Sequence, residues 1–104
     1  MNYQVLFVIV ERGRAQEVIQ AAQEAGADGA TVLTGRGASI HEKKTLFSLN
    51  IEPEKEICLF VAPTDQMSLI VDTIQTKIEI QKPGNGILFA LDIESPEGIH
   101  ELLA

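Results

Sequence analysis

The chain has 104 residues, the size of a single domain, and 45% of them are hydrophobic, which is enough for an aliphatic core. A formal net charge of −7 disfavours nucleic acids and anionic membrane surfaces as partners, because both attract clusters of Lys and Arg. No apolar run nears the roughly 20 residues that cross a bilayer, and the N-terminus lacks a signal-peptide pattern. We therefore predict one cytoplasmic domain over residues 1–104 that is not embedded in a membrane.

The first half of the chain predicts a strand, a helix and a second strand. The run YQVLFVIV over residues 3–10 is rich in β-branched and aromatic residues, which is typical of a buried strand. Residues 14–25 then carry apolar side chains at helical spacing, and Gly26 is well placed as a left-handed C-cap. A shorter strand is predicted over residues 30–34.

A connection of nearly twenty residues separates the two halves of the chain. It begins at Gly35-Arg36-Gly37, which predicts a flexible segment, and runs to Pro53. Loops of this length inside a compact domain are usually functional. The segment contains two lysines and three apolar side chains that could contact a partner: Lys43, Lys44, Leu46, Phe47 and Leu49. Two alternatives stay open, since the apolar side chains could instead pack the loop onto its own assembly and the lysines could simply be solvated.

The second half repeats the order of the first. Residues 56–62 (EICLFVA) form a predicted strand, in which the single Cys58 is expected to be a buried hydrophobe. A helix is predicted from residue 64 or 65 through Ile78, with Thr64 or Asp65 as its side-chain cap. The turn segment 81–86 leads into a strand over residues 87–93, and Ser95-Pro96 predicts the start of a short C-terminal helix.

This order predicts an α+β fold of the ferredoxin-like βαββαβ type. Its four-stranded antiparallel sheet would carry two helices on one face, followed by the short C-terminal helix. A sheet with one solvated face should alternate apolar and polar residues, yet VLFVIV, ICLFVA and ILFAL do not alternate. We therefore predict that a second copy of the chain covers the face without helices.

The sequence does not support catalysis or metal binding. His41 and His100 are far apart, neither has the spacing of a metal-ligand pair, and no nucleophile motif is present. Two glycine clusters stand out instead, Gly35-Arg36-Gly37 and Gly84-Asn85-Gly86. Each could let backbone N–H groups approach an anion, although Asn-Gly before a strand is also an ordinary turn.

Four segments follow one another along the chain: GATVLTGRG, a long loop, EKEICLFVAPTDQMSLIVDTI and KPGNGILFAL. This order resembles the PII signalling proteins, the nitrogen-regulatory P-II family, over nearly the whole chain. The most specific part is Lys82-Pro83-Gly84-Asn85-Gly86, because the family has Gly-Asp-Gly-Lys before an apolar strand there. The resemblance implies a homotrimer that binds ATP or ADP in clefts between subunits. It also implies that the long loop docks on a regulated protein, such as a membrane transporter or an enzyme.

Carried over position by position, the resemblance assigns three groups of residues to the nucleotide site. The base of the long loop would line the cleft, the end of the third strand would lie near the adenine, and the glycine turn would approach the phosphates. These residues are Gly35, Arg36 and Gly37 for the loop base, Ala62 and Pro63 for the strand end, and Lys82, Gly84, Asn85 and Gly86 for the turn.

The chain departs from the family at the phosphate end. Ile87 stands where the family has a phosphate-contacting Lys, and Asp92 and Glu94 replace basic residues after the last strand. Both changes remove positive charge, which favours a ligand with fewer phosphates, or none. Among ATP, ADP and AMP, the sequence does not select one.

The sequence therefore predicts a non-enzymatic sensor that signals through the loop over residues 36–54. Two alternatives stay open on the same topology. One is a regulatory module of the ACT type, which would bind a small metabolite rather than a nucleotide and would more often be a dimer. The other is a nucleotide hydrolase, although fold alone does not establish an activity.

Overall fold

The structure is a computed structural model of the chain, and it describes residues 2–37 and 53–98. Four strands and two helices follow one another in the predicted ferredoxin-like order, which confirms the predicted fold class. No helix in these two ranges is long and apolar enough to cross a membrane. The elements are β1 (Tyr3–Glu11), α1 (Ala15–Glu24), β2 (Thr31–Arg36), β3 (Glu54–Pro63), α2 (Thr64–Ile78) and β4 (Ile87–Ile93).

The sheet has the strand order β2-β3-β1-β4, and every neighbouring pair is antiparallel. β1 and β3 are therefore central, which suits their β-branched and aromatic residues. Phe7 marks the middle of the sheet, since it lies opposite Leu59 on β3 and Phe89 on β4.

The core lies between the sheet and the two helices. Alternate residues of the central strands point into it, and on the helices the apolar stripe faces them. Cys58 is fully buried there, as predicted, and burial raises the pKa of its thiol to about 11. The core side chains with no exposed surface include Leu6, Val8, Val18, Cys58, Ile70, Ile74 and Ile78.

The opposite face of the sheet carries no helix and is also apolar. We call it the open face; its cross-strand rows are Val5, Val61 and Leu91, Phe7, Leu59 and Phe89, and Ile9, Ile57 and Ile87. The rings of Phe7 and Phe89 stack with their centroids 5.0 Å apart. The β4 member of each row, on the edge of the sheet, is well exposed, with Phe89 at 42%, Leu91 at 51% and Ile87 at 57%. The prediction of two apolar faces is confirmed.

Two local predictions differ from the structure. Helix α2 begins at Thr64 with Pro63 as its N-cap and no side-chain cap, so the predicted cap by Thr64 or Asp65 is wrong. The reason is that Pro63 occupies the cap position and its side chain has no acceptor, while the Thr64 amide instead donates to the carbonyl of Asn2 at 2.9 Å. Residues 95–98 form no helical turn, since Ser95 has φ +50°, and the rest of the predicted C-terminal helix lies outside the described residues.

Candidate functional site

The two glycine clusters lie at the same end of the sheet. Gly35 is opposite Lys55 at the start of β3, and Lys55 is opposite Glu11 at the end of β1. Gly86 immediately precedes β4, and a Cβ added to it would meet Ile9 and Val10 near the end of β1. We call this region, residues 11–17, 35–37, 53–56 and 79–86, the loop-base end.

The base of the long loop is a β-ladder rather than a flexible segment. β2 continues through Arg36, which is opposite Glu54, and the amide of Gly37 donates to the carbonyl of Pro53 at 3.1 Å. The prediction of a loop beginning at Gly35 is therefore wrong by two residues, because pairing with β3 outweighs the local preference of glycine for loops. The predicted partner contacts Lys43, Lys44, Leu46, Phe47 and Leu49 lie outside the described residues.

The turn from Lys82 to Gly86 is fixed to helix α2 by its asparagine. The Asn85 side-chain amide donates to the carbonyls of Ile78 and Glu79 at 2.9 and 3.1 Å, at the C-terminus of the helix. These bonds satisfy carbonyls that have no partner within the helix. The Asn85 side-chain N–H groups are thus used inside the chain, which favours its interpretation as a turn residue.

Gly86 is required by the fold itself. It has φ +136°, and a Cβ at this position would lie 2.7 Å from the carbonyl oxygen of Ile9. Gly84 also has a positive φ, +86°, but a Cβ there would meet no heavy atom within 4 Å. The close approach at Gly86 is therefore to strand β1, whereas Gly84 is open to a ligand.

A carboxylate that the sequence analysis did not single out anchors the neighbouring turn. One oxygen of Glu56 accepts hydrogen bonds from the amides of Gly13 and Ala15, at 3.0 and 2.9 Å. It thereby supplies the missing cap of helix α1, whose N-cap residue Arg14 makes no side-chain cap hydrogen bond. The absence of Ser, Thr, Asp or Asn before α1 was the available signal that a cap must come from elsewhere.

Three cationic side chains at the loop-base end form ion pairs with carboxylates of the same chain. Arg12 pairs with Glu54 at 2.8 Å, Arg14 with Glu17 at 2.9 Å, and Lys82 with Glu79 at 2.5 Å.

The hydrogen bond from Arg14 lowers the pKa of Glu17, and that from Lys82 lowers the pKa of Glu79. The hydrogen bond to Glu17 also raises the pKa of Arg14. Lys82, the predicted phosphate contact, is thus already neutralised by a carboxylate three residues away.

The remaining predicted site residues, Ala62 and Pro63, lie at the opposite end of the sheet. Pro63 is opposite Tyr3, which is in turn opposite Ile93. Pro63 is eight residues along β3 from Lys55, a span of about 26 Å at ~3.3 Å per residue. One chain therefore brings the two glycine clusters together but holds them far from Ala62 and Pro63.

A concavity on the helix layer lies apart from these residues. It is an open groove of about 400 Å³ on the helix layer, lined by Glu24, Asp72, Thr73, Thr76 and Lys77. Within residues 2–37 and 53–98, no three His, Cys, Asp or Glu side chains come close enough together to hold a metal ion. His41 and His100 lie outside those ranges.

Comparison with models of known protein families gives a match over nearly the whole chain. The sequence model described as "Nitrogen regulatory protein P-II" matches residues 3–101. No curated protein matches the chain.

Several solved structures share the fold. Arabidopsis thaliana PII bound to citrate has a TM-score of 0.75 and 23% identity, over 97% of this chain and 86% of that one. B. subtilis GlnK has a TM-score of 0.69 and 13% identity, over 89% of this chain and 86% of that one. CPII from Thiomonas intermedia K12, bound to ADP and bicarbonate, has a TM-score of 0.67 and 18% identity, over 89% of this chain and 87% of that one.

Proposed function

Since the chain belongs to the nitrogen regulatory protein P-II family, we propose that it is a cytoplasmic signalling protein, not an enzyme, that works as a homotrimer. Each cleft between subunits binds an adenine nucleotide, ATP, ADP or AMP. The loop over residues 36–54 then contacts a regulated protein, such as a membrane transporter or an enzyme.

The separation of the predicted contacts into two groups carries this proposal. Gly35–Gly37 and Lys82–Gly86 share the loop-base end, whereas Ala62 and Pro63 lie about 26 Å away along β3 at ~3.3 Å per residue. A nucleotide cannot contact both groups in one chain. Two chains arranged so that the loop-base end of one meets the opposite end of the next would complete the site, and this is the arrangement a cyclic oligomer repeats.

The open face supports the same assembly. Its outer side chains Ile87, Phe89 and Leu91 are about half exposed in the single chain. Full burial of an aliphatic or Phe side chain is favourable by about 1.5–3 kcal/mol. Covering the open face with the open faces of two further copies would therefore stabilise a trimer. Such an interface would also account for the apolar side chains on both faces of β1, β3 and β4.

Ligand binding is supported by relatives and by the local geometry. Two of the similar solved structures hold small molecules, citrate in one and ADP with bicarbonate in the other. In this chain the Lys82–Gly86 turn is held by Asn85 before any ligand arrives. A preorganised turn loses little conformational freedom on binding, which favours affinity.

Light scattering and thermal denaturation with ATP, ADP or AMP test the proposal. We expect the mass of a trimer, and a nucleotide at about 100 times its Kd should stabilise the folded state by roughly 2.7 kcal/mol. A dimer that responds to no nucleotide would contradict the proposal and would favour the ACT-type module.

Gly37→Gln is the variant that addresses the site without disturbing the fold. Gly37 does not have a positive φ, and the nearest atom to an added Cβ is Lys55 Cγ at 4.0 Å. We expect this variant to keep the midpoint of the unliganded protein and to lose the nucleotide response. Thr76→Gln, an exposed position on helix α2, is the matched control and should keep the response; a full response in Gly37→Gln would contradict the assigned cleft.

A further inference from the structure

We infer that the ligand of this cleft is an adenine nucleotide with a single phosphate, and that Glu79 competes with additional phosphates for Lys82. This inference rests on the proposed function, because it takes the cleft to be formed by the loop-base end of one subunit and the opposite end of the next. It is carried by the charges that the fold gathers at those two ends.

The loop-base end has no net positive charge. Residues 11–17, 35–37, 53–56 and 79–86 contain five cationic and five anionic side chains. Three of the cations are paired with carboxylates of the same chain, as described above, and Arg36 lies opposite Glu54. Ile87, which follows the glycine turn directly, is an exposed apolar side chain.

The opposite end of the sheet is acidic. We define it as residues 2–5, 61–67 and 90–98, which contain no Lys or Arg and four carboxylates: Asp65, Asp92, Glu94 and Glu97. All four are exposed residues. Asp92 accepts a hydrogen bond from the Gln4 side chain at 3.0 Å, which fixes its carboxylate on this surface.

A cleft assembled from these two ends therefore contains more negative than positive charge. A single phosphate group carries about −1.5 to −2 charges at pH 7, and Lys82 together with the backbone N–H groups of the turn can hold it. Each further phosphate adds negative charge in a cleft where carboxylates are in excess, and like charges gathered in one cleft repel each other.

Glu79 is the residue that sets this limit most directly. Its carboxylate is bound to the Lys82 ammonium group at 2.5 Å, and the two side chains are 57% and 67% exposed. An exposed pair of this kind is weak enough for a phosphate to displace it. A ligand must therefore replace one carboxylate at Lys82, and the displaced charge of Glu79 remains close to the phosphates.

Isothermal titration of the full chain with AMP, ADP and ATP, in buffer with a chelator and without divalent ions, tests the inference. We expect AMP to bind about tenfold more tightly than ATP, which corresponds to ~1.4 kcal/mol. In Glu79→Gln, ATP affinity should rise about two- to fivefold, in the range of an exposed charge pair, and AMP affinity should rise less. Glu24→Gln, on the exposed side of helix α1, makes the same change of charge elsewhere and should leave the ratio unchanged.

The outcomes separate the two proposals. If none of the three nucleotides binds, the proposed function fails and the inference fails with it. If ATP binds as tightly as AMP or more tightly, the proposed function stands and only the single-phosphate preference is overturned. If AMP is preferred but Glu79→Gln leaves the ratio unchanged, the competition assigned to Glu79 is wrong.

Discussion

Replacing Gly86 by Ala is expected to destabilise the fold strongly, because two independent costs coincide at this position. A positive φ in a residue with a Cβ costs about 1–3 kcal/mol. The new Cβ would also lie 2.7 Å from the Ile9 carbonyl oxygen and 3.1 Å from Val10 Cγ1. Ile9 cannot move away easily, since it lies in the register of both β3 and β4 on the central strand β1. Overpacking of this kind adds about 1–3 kcal/mol, so the two terms together give a total loss of about 2–6 kcal/mol.

Gly84→Ala is the matched control for this experiment. Gly84 shares the positive φ but a Cβ there meets nothing within 4 Å, so only the backbone term applies and the loss should be about 1–3 kcal/mol. Urea denaturation followed by far-UV circular dichroism measures both, because the chain has no Trp. The protein concentration must be the same throughout, since the proposed assembly would make stability concentration-dependent.

At an m-value of about 1–3 kcal/mol/M, Gly86→Ala should lower the urea midpoint clearly further than Gly84→Ala. The m-value itself should stay unchanged. Equal midpoints for the two variants would refute the argument that close packing against β1, rather than backbone conformation alone, requires glycine at position 86.

Two further predictions concern the open face and the core. Phe89→Asp, on the open face, should convert the proposed trimer to monomers in light scattering. Leu69→Asp, 60% exposed on helix α2, is the control and should leave the mass unchanged. A trimeric Phe89→Asp protein would exclude this face as the interface. For Cys58, the pKa of the folded thiol is raised to about 11 from 9.0 by burial, so the thiol contributes stability below pH 9 that is lost as the pH rises towards 11. Cys58→Ala should remove that part of the pH dependence in urea titrations between pH 8 and 11, and an unchanged slope would contradict it.

The sequence predicted the order of the elements because each strand is an apolar run bounded by turn residues, a signal that is local. It ended β2 two residues too early, at residue 34, and began β3 two residues too late, at residue 56. Gly35 and Arg36 look like loop residues by themselves, but they pair with Lys55 and Glu54. Long-range pairing of this kind is not visible in a local window of sequence.

The candidate site was predicted only in its parts. The glycines and Lys82 were recognisable from the sequence, but the use of the Asn85 side chain by helix α2 and the capping of α1 by Glu56 depend on distant partners. The separation of the predicted contacts between two ends of the sheet also depends on register, because Ala62 and Gly35 become distant only once β3 is extended. The predicted loop contacts, such as Phe47, remain predictions.

The position of β1 in the middle of the sheet has a consequence for how the protein is made. β1 ends at Glu11, but its two partner strands begin at Glu54 and Ile87. At a synthesis rate of about 5–20 residues per second, β1 waits roughly 4–15 s for the strand β4. During that interval both apolar faces of β1 lack their final cover, so the nascent chain is most prone to aggregation before its last strand is synthesised.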